Sequence, residues 1–264
     1  MQLSSLRLVP VPMFSDNYLW LLIAPNGNTV AVDVGDYDVL DVYLQAHQLT
    51  LTTVLITHHH RDHTAGLPEL KKKHPDVPIY GSAPITGITH VVNGGDLFTI
   101  ADIGRLLVLD ISGHTKIHLA FYQLTEKILF CSDCLFSAGC GRIFDGDPVS
   151  FYQSIQKISL LADDTRLCAA HEYTLSNLEF ALAVEPNNIA MQKHQQRCTV
   201  LRQQNQPTLP TRLGNEKRYN PFLRCHLLSQ RIHLLTGEPC ENGQQAFTAL
   251  RRYKNTWQAE TLVK

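Results

Sequence analysis

The chain has 264 residues, an ordinary globular composition and a formal net charge of -1. Its length fits one large domain, or one domain with a smaller appendix, and is ample for a buried core. The charge balance lacks the basic excess typical of proteins that bind nucleic acid or anionic membranes, and no run approaches the ~18 apolar residues of a membrane span.

The cellular compartment is predicted from the N-terminus and the cysteines. The opening stretch, MQLSSLRLVPVPMF, lacks the long apolar region of a signal peptide. The seven cysteines are an odd number with scattered spacing, which favours free thiols in a reducing compartment over a disulfide framework. We therefore expect a cytoplasmic protein.

The first part of the chain alternates short β signals with helical patterns. An apolar run at residues 18–23 is followed by a hairpin turn, Asn26-Gly27-Asn28, and by a second strand at 29–34. Residues 36–47 have helical spacing, and residues 51–57 (LTTVLIT) predict a buried strand that runs directly into a histidine tract. Further strands are predicted at 77–80, 105–109, 117–124 and 127–131, and further helices at 67–74 and 148–161.

The predicted secondary structure changes from mixed strands and helices to helices alone after about residue 171. Helices are predicted at 175–184, 187–206 and 243–254, with a loop at 205–219 that contains two prolines. The chain is thus predicted to be α+β, with β-rich sheets and interleaved helices first and an all-helical tail after them.

The segment Thr57-His58-His59-His60-Arg61-Asp62-His63 places four histidines and an aspartate within seven residues. Because it follows a buried strand, it is predicted to be an anchored loop that leads into the first turn of a helix. His58 and His60 can converge on one ion, whereas Asp62 and His63 could serve a second. Imidazole and carboxylate ligands suit Zn, Fe or Mn. A solvated polar loop is the alternative, but this pattern at a strand end favours a metal site, with His59 and Arg61 facing away.

One loop cannot complete two coordination shells, so further ligands must come from elsewhere. Three polar segments follow apolar runs, where chain ends cluster at one edge of a sheet: residues 113–115 (GHT), 132–134 (SDC) and 171–173 (HEY). The other histidines lack such a context and are interpreted as surface or core residues, although His118, within a strand pattern, resembles a ligand most. Cys131 and Cys134 form a single CxxC without a thioredoxin-like context, which disfavours a redox pair or a zinc knuckle.

Several segments together resemble the metallo-β-lactamase superfamily and, within it, the glyoxalase II (hydroxyacylglutathione hydrolase) family. The tract THHHRDH is the superfamily's signature. The resemblance narrows to glyoxalase II through residues 16–20 (DNYLW), 139–142 (GCGR), 145–146 (DG), 171–178 (HEYTLSNL), 184–187 (VEPN) and 219–224 (YNPFLR). It implies a four-layer αββα sandwich, a catalytic domain at residues 1–171 and a helical, glutathione-binding domain at 172–264.

The resemblance also implies two divalent metal ions per chain, Zn first and Fe or Mn as alternatives. The first ion would be held by His58, His60 and His114, and the second by Asp62, His63 and His171. Asp133 would bridge both ions together with a hydroxide. Asp62 and Asp133 are therefore the expected catalytic residues, and for Asp62 ligation is expected ahead of proton acceptance.

The substrate that the resemblance implies is an S-acylglutathione, typically S-lactoylglutathione, hydrolysed to D-lactate and glutathione in methylglyoxal detoxification. Arg251 and Lys254 share a face of the last helix and would hold the glycine carboxylate; without the resemblance they would be interpreted as a solvated helix face. Arg142 and Tyr173 match other family contacts, and Phe144 stands where some members have a tyrosine that touches glutathione. A monomer with a small-molecule partner, and with neither nucleic acid nor membrane, is expected.

The chain departs from the family pattern at Ile117, Ser132, Cys134, Phe144 and Ala170. These changes affect local backbone geometry and substrate affinity more than metal binding. A mono-iron persulfide dioxygenase of the same fold is an alternative, although the retained aspartates and the long helical tail favour two metals. A catalytically silent metal-binding module is a second alternative, against which the complete ligand set argues.

Overall fold

Residues 6–258 are described by a computed structural model, and they form two facing six-stranded sheets with helices. The strands are β1 Arg7–Met13, β2 Asn17–Ile23, β3 Asn28–Val32, β4 Thr50–Leu55, β5 Ile79–Gly81, β6 His90–Val91, β7 Leu97–Ile100, β8 Gly104–Asp110, β9 Leu119–Gln123, β10 Ile128–Ser132, β11 Leu135–Phe136, β12 Gly139–Cys140, β13 Arg166–Ala169 and β14 Thr211–Arg212. The helices are α1 Tyr37–Ala46, α2 Arg61–Thr64, α3 Leu67–Lys73, α4 Pro148–Ser159, α5 Thr174–Val184, α6 Ile189–Gln203, α7 Leu213–Tyr219, α8 Ser229–Thr236 and α9 Gly243–Thr256.

Strand β2 shows why the molecule is layered. All seven of its residues are buried, and successive side chains of a strand point to opposite faces. Every second residue from Tyr18 joins a core cluster with β8, β9 and α4, whereas every second residue from Leu19 joins another with α1 and α3. The order of layers is therefore helix, sheet, sheet, helix. The predicted α+β class and four-layer sandwich are confirmed.

The first sheet has the order β1-β2-β3-β4-β5-β6. The predicted hairpin is confirmed: β2 and β3 are antiparallel, and Gly27 between them has a φ of 86°. The helix predicted at 36–47 is α1, whose N-cap Asp36 accepts hydrogen bonds from the backbone N–H groups of Asp38 and Val39. Beyond it β3, β4 and β5 run parallel, joined by helical crossovers.

The second sheet has the order β14-β13-β10-β9-β8-β7, and β10 is parallel to β13. An isolated bridge between Asn17 and His171, and a hydrogen bond from Leu119 N–H to the Thr57 carbonyl, tie the two sheets together at one edge. The carboxyl ends of β4, β10 and β13 meet there, together with the β8–β9 turn that carries residues 113–115. The prediction that the polar segments after these strands cluster at one edge is confirmed.

The C-terminal part corrects two predictions. Helices α5, α6 and α9 lie where they are predicted. The segment 205–219 is not a plain loop, because it forms β14 and α7, and β14 pairs with β13. The tail is therefore not all-helical: its strand is only two residues long, too short for any periodicity, and exists because a distant strand offers it a partner. The short helix α8 also has no counterpart in the sequence-based prediction.

None of the helices within residues 6–258 combines the length and the apolar character that crossing a membrane requires.

Candidate metal centre

The first group of ligand-type side chains consists of His58, His60, His114 and Asp133, with donor atoms within 4.8 Å of one another. His58 and His60 come from the loop between β4 and α2, His114 from the β8–β9 turn, and Asp133 from the residue after β10. The Nδ1 of His114 lies 2.7 Å from the Arg142 carbonyl oxygen, which fixes its ring and turns Nε2 toward the group. Three chain segments thus converge on one point.

The second group consists of Asp62, His63 and His171, which also meet within 4.8 Å. The Nε2 of His63 lies 3.2 Å from Asp62 Oδ2, and the Nε2 of His171 lies 3.5 Å from the same oxygen. Asp62 and His63 stand in the first turn of α2, and His171 follows β13. Two adjacent residues with different directions therefore serve this group, as the sequence predicts.

Asp133 lies between the two groups. Its Oδ2 is 3.4 Å from His114 Nε2 in the first group and 3.7 Å from His63 Nε2 in the second, and its Oδ1 is 3.3 Å from His171 Nε2. A carboxylate whose oxygens lie close to histidines of both groups is placed as a bridging ligand would be. The structure therefore brings together all seven residues that the sequence predicts as ligands.

The donor atoms of these groups fit divalent metal ions. His58 Nε2, His63 Nε2 and Asp133 Oδ1 are buried and have no hydrogen-bond partner among the described residues. Buried polar atoms are otherwise nearly always paired, and leaving one unpaired is costly. Three such atoms at one point, all of ligand type, are explained by a cation. Nitrogen and carboxylate oxygen donors suit Zn, Fe or Mn.

The electrostatics also favour positive charge at the centre. Burial raises the pKa of Asp133, but His63 and His171 beside it hold that pKa well below its usual range. Burial lowers the pKa of His171, yet the nearby carboxylates of Asp133, Asp62 and Asp16 raise the pKa to about 10. Burial keeps the pKa of His58 well below its usual range, so this ring is neutral and able to ligate. The pKa of Asp62 is likewise lowered, so the carboxylates of Asp133 and Asp62 both remain ionised at neutral pH.

Three residues that the sequence did not predict hold the ligand candidates in place from behind. Asp33 lies 3.0 Å from His63 Nδ1, and Asp16 lies 2.7 Å from His171 Nδ1. Asn17 donates its side-chain N–H to Asp62 over 2.9 Å. A carboxylate on the far nitrogen fixes the tautomer and direction of a ligating histidine. Asp33 follows the apolar strand β3, so the rule that located Asp133 and His171 could have located it too.

A cavity of about 520 Å³ opens beside the two groups. Its lining includes five metal-ligand candidates, and it also includes every residue that the sequence predicts for substrate binding: Arg142, Phe144, Tyr173, Arg251 and Lys254. This volume suits a ligand of moderate size. The chemistry of the metal centre and the predicted binding residues therefore share one space.

Arg251 and Lys254 are not a solvated helix face. Arg251 is 3% exposed, and its guanidinium donates to the carbonyl oxygens of Cys140 and Gly141 over 3.2 Å each. Its Nε is buried without a partner among the described residues. Lys254 donates to the Asn177 side-chain oxygen and stands 5.4 Å from the centre of the Phe180 ring. Burial, Arg251 and Arg142 lower the pKa of Lys254 to about 7.

The other predicted contacts lie at the mouth of the cavity. The ring of Tyr173 stacks on that of His171 with centroids 4.7 Å apart, and the exposed Phe144 ring stands edge-on to His60 at 5.0 Å. Arg142 is exposed. Aromatic rings thus border the centre on two sides and limit the approach of water.

The remaining candidates lie as follows. His59 and Arg61 are exposed and face away, as predicted. His118 belongs to neither group, although its fully buried ring stacks on His58 with centroids 4.5 Å apart. Cys131 and Cys134 are free and buried, and all seven cysteines are free thiols. Burial raises the pKa of Cys131 to about 12, which makes it unreactive.

Glycines allow the segments to approach one another here. A Cβ added to Gly141 would lie 2.0 Å from the carbonyl oxygen of Asp133, and one added to Gly35 would lie 1.9 Å from that of Asp62. Neither backbone atom can move without displacing a ligand. Glycine at these two positions is therefore required by the centre.

Two family models match the chain. The model described as the metallo-beta-lactamase superfamily matches residues 16–171, and the model described as the hydroxyacylglutathione hydrolase C-terminus matches residues 172–257. Together they account for nearly the whole of the described chain.

The curated relatives bear the name that describes the C-terminal family model, hydroxyacylglutathione hydrolase. A protein named hydroxyacylglutathione hydrolase from Hahella chejuensis is 42% identical over 94% of this chain and 98% of its own length. One of the same name from Vibrio cholerae is also 42% identical, over 95% of this chain and 99% of its own length. A third, from Yersinia pestis, is 39% identical over 96% of this chain and 100% of its own length. At such coverage the alignment includes both the metal centre and the C-terminal helices.

Solved structures agree in fold. ETHE1 from Myxococcus xanthus aligns with a TM-score of 0.66 and 22% identity, covering 97% of this chain and 93% of its own. The BLEG-1 B3 metallo-beta-lactamase aligns with a TM-score of 0.62 and 21% identity, covering 83% of this chain and 99% of its own. At these identities the likeness concerns the fold alone.

Proposed function

The chain belongs to the hydroxyacylglutathione hydrolases of the metallo-β-lactamase superfamily, and from this premise we propose that it hydrolyses S-lactoylglutathione with two divalent metal ions. The observation that carries the proposal is the position of Asp133, whose carboxylate lies between the two ligand groups and close to histidines of both. Zn is the metal proposed first, with Fe or Mn as alternatives, because the donors are imidazole and carboxylate.

In the proposed centre His58, His60 and His114 would hold one ion, Asp62, His63 and His171 would hold the other, and Asp133 would be shared by both. Ions bound there would supply a water that is deprotonated near neutral pH and positive charge for the developing oxyanion. The protein's own contribution is to fix the ligands: Asp33 and Asp16 orient two of the histidine rings from behind.

The lining of the cavity suits a thioester. Asp62 and Asp133 both have pKa values held well below their usual range, so neither carries a proton that it could donate at neutral pH. An amide would need such an acid, whereas a thiol leaves as a thiolate because it ionises near pH 8.5. The two lining carboxylates therefore act as ligands ahead of any role in proton transfer.

The far end of the cavity suits the anionic end of glutathione. We propose that Arg251 and Lys254 meet the glycine carboxylate, with Arg142 and Tyr173 as further contacts and Phe144 where some members of the family have a tyrosine that touches glutathione. A buried cation with a free donor favours a charged acceptor. The C-terminal helices thus supply the substrate contacts and the sheets the metal ligands, which supports a division into functional parts near residue 171.

Further proposals concern the setting of the enzyme. Seven free thiols support a reducing compartment, for which we propose the cytoplasm. The cavity and both ligand groups are built from one chain, which supports activity as a monomer.

The proposed function is tested by following S-lactoylglutathione hydrolysis at the thioester absorbance. We expect turnover by the purified chain, loss of turnover after metal removal by a chelator, and recovery with added Zn. His58→Ala is expected to lose more than ~100-fold in kcat, since even residues behind the ligands contribute about 10–100-fold.

The matched control is His59→Ala, because His59 stands in the same tract but is exposed and faces away. It should retain activity within about 2-fold, as exposed positions away from a site generally do. A metal-loaded wild-type chain that leaves the thioester intact would overturn the proposed function.

A further inference from the structure

Ser132 has a backbone conformation that L residues rarely adopt. Its φ is 46°, in the left-handed region, and it lies at the end of β10 where the pairing with β13 shifts register. Glycine reaches this region without the steric cost that a Cβ brings. Ser132 is also 3% exposed, so the serine is not explained by solvation. A strained residue that persists at a functional site calls for something that its side chain supplies.

The Ser132 hydroxyl supplies a hydrogen bond to Asp33. Its Oγ lies 2.9 Å from Asp33 Oδ2, although the two residues are 99 positions apart. The same carboxylate oxygen is 2.8 Å from the Thr57 hydroxyl and 3.0 Å from His63 Nδ1. The other oxygen of Asp33 accepts the backbone N–H of Thr57 over 2.9 Å. Asp33 is therefore held from both sheets, and the bond from the second sheet is that of Ser132.

Asp33 in turn holds His63 of the second ligand group. Its Nδ1 is held by Asp33, so its Nε2 points toward Asp62 and Asp133, at 3.2 and 3.7 Å. Without the Ser132 hydroxyl, Asp33 Oδ2 would keep its hydrogen bond from Thr57 but lose the one from the second sheet. Asp33 would then be held from one sheet only and would fix the direction of the His63 ring less firmly.

We propose that Ser132 is a positioning residue, whose hydroxyl fixes Asp33 and through it the direction of His63 toward the second metal ion. The proposal rests on the two-metal centre of the proposed function. The left-handed backbone brings the Oγ under Asp33, and a glycine, which suits that backbone better, would lack the oxygen.

Two variants separate the hydroxyl from the backbone. Ser132→Ala removes the hydroxyl and keeps the steric cost of the Cβ, whereas Ser132→Gly removes both. For each, the rate of metal release to a chelator and the thermal midpoint of the metal-stripped protein are measured. We expect both variants to release the second metal about 10–100-fold faster than wild type, since this is the usual effect of partners behind a ligand. The thermal midpoint should be higher for Ser132→Gly than for Ser132→Ala.

A purely structural role predicts another pattern, in which metal release follows thermal stability and Ser132→Gly behaves like wild type. That result, or wild-type release by both variants, would overturn the proposal. The control is Ser137→Ala, a buried serine whose hydroxyl contacts His194 and which should leave metal release unchanged.

Crystal structures of the metal-stripped wild type and Ser132→Gly test the positioning independently of the metal. The variant should show a turned His63 ring with its bond to Asp33 lost or lengthened. An unchanged Asp33–His63 contact in Ser132→Gly would contradict the proposal. If the wild type binds no metal while Ser132→Gly still shows the turned ring, only the proposed function is contradicted.

Discussion

Asp133→Asn is expected to lower S-lactoylglutathione turnover by more than ~100-fold and to leave the purified chain with fewer metal ions than wild type. The carboxylate contacts both ligand groups, His114 of the first and His171 of the second. An amide has nearly the same shape but lacks the charge and presents one oxygen instead of two. Removing a direct ligand should lower activity by more than the ~10–100-fold that is lost when a residue hydrogen-bonded to a ligand is changed.

The substitution is nearly isosteric, so the fold should survive, which circular dichroism of the metal-stripped variant would verify. The matched control is Asp164→Asn, because Asp164 is an exposed carboxylate paired with Lys127 and remote from the centre. That variant should keep turnover within about 2-fold. Near-normal turnover and metal content in Asp133→Asn would show that this residue is not a bridging ligand.

Lys254→Gln is expected to raise KM for S-lactoylglutathione by about 10–100-fold at pH 6, with a smaller effect on kcat. A hydrogen bond to a charged group contributes ~1.5–3 kcal/mol, which corresponds to this range. Lys254 lines the cavity and is packed between Asn177 and the Phe180 and Phe222 rings, which hold its ammonium group in place. KM against kcat for the variant and wild type is the measurement.

The same lysine should give wild-type KM a pH dependence. Burial, then Arg251, and finally Arg142 lower its pKa to about 7, while the Cys140 thiol beside it is neutral because burial raises its pKa. The charged form binds a carboxylate, so binding is strongest below pH 7 and weakens as the lysine loses its proton above that value. KM should therefore rise between pH 6 and 8.5.

Variants isolate the cause of this rise. Lys254→Arg keeps its charge throughout this range and should have a KM that is flat with pH, and Lys254→Gln should be flat at a high value. Lys73→Gln, an exposed lysine of α3, should follow wild type. A pH-dependent KM that persists in Lys254→Gln would assign the titration to another group.

Local patterns in the sequence predict much of the fold and the metal ligands. The buried strand before His58 anchors the tract, and the turn signal at Gly27 sets the first hairpin. Polar residues that follow apolar runs, such as Asp133 and His171, meet because strand ends share one edge. Each of these signals lies within about ten residues of the feature it predicts, which is why a single sequence carries them.

Long-range contacts account for what the sequence did not predict. Strand β14 has two residues and forms because β13 offers it a partner across more than forty positions. The hydrogen bond between Ser132 and Asp33 joins two sheets and spans 99 positions, so the local sequence around neither residue predicts it. The lowered pKa of Lys254 likewise depends on burial against α5, and so it could not be read from the charged run at residues 251–254.

The central claim, a centre of two metal ions bridged by Asp133, is tested most directly by the metal content of the chain purified without added metal salts. Elemental analysis against protein concentration should give two divalent ions per chain, of Zn, Fe, Mn or a mixture of them. A single iron per chain, or none, would contradict this account.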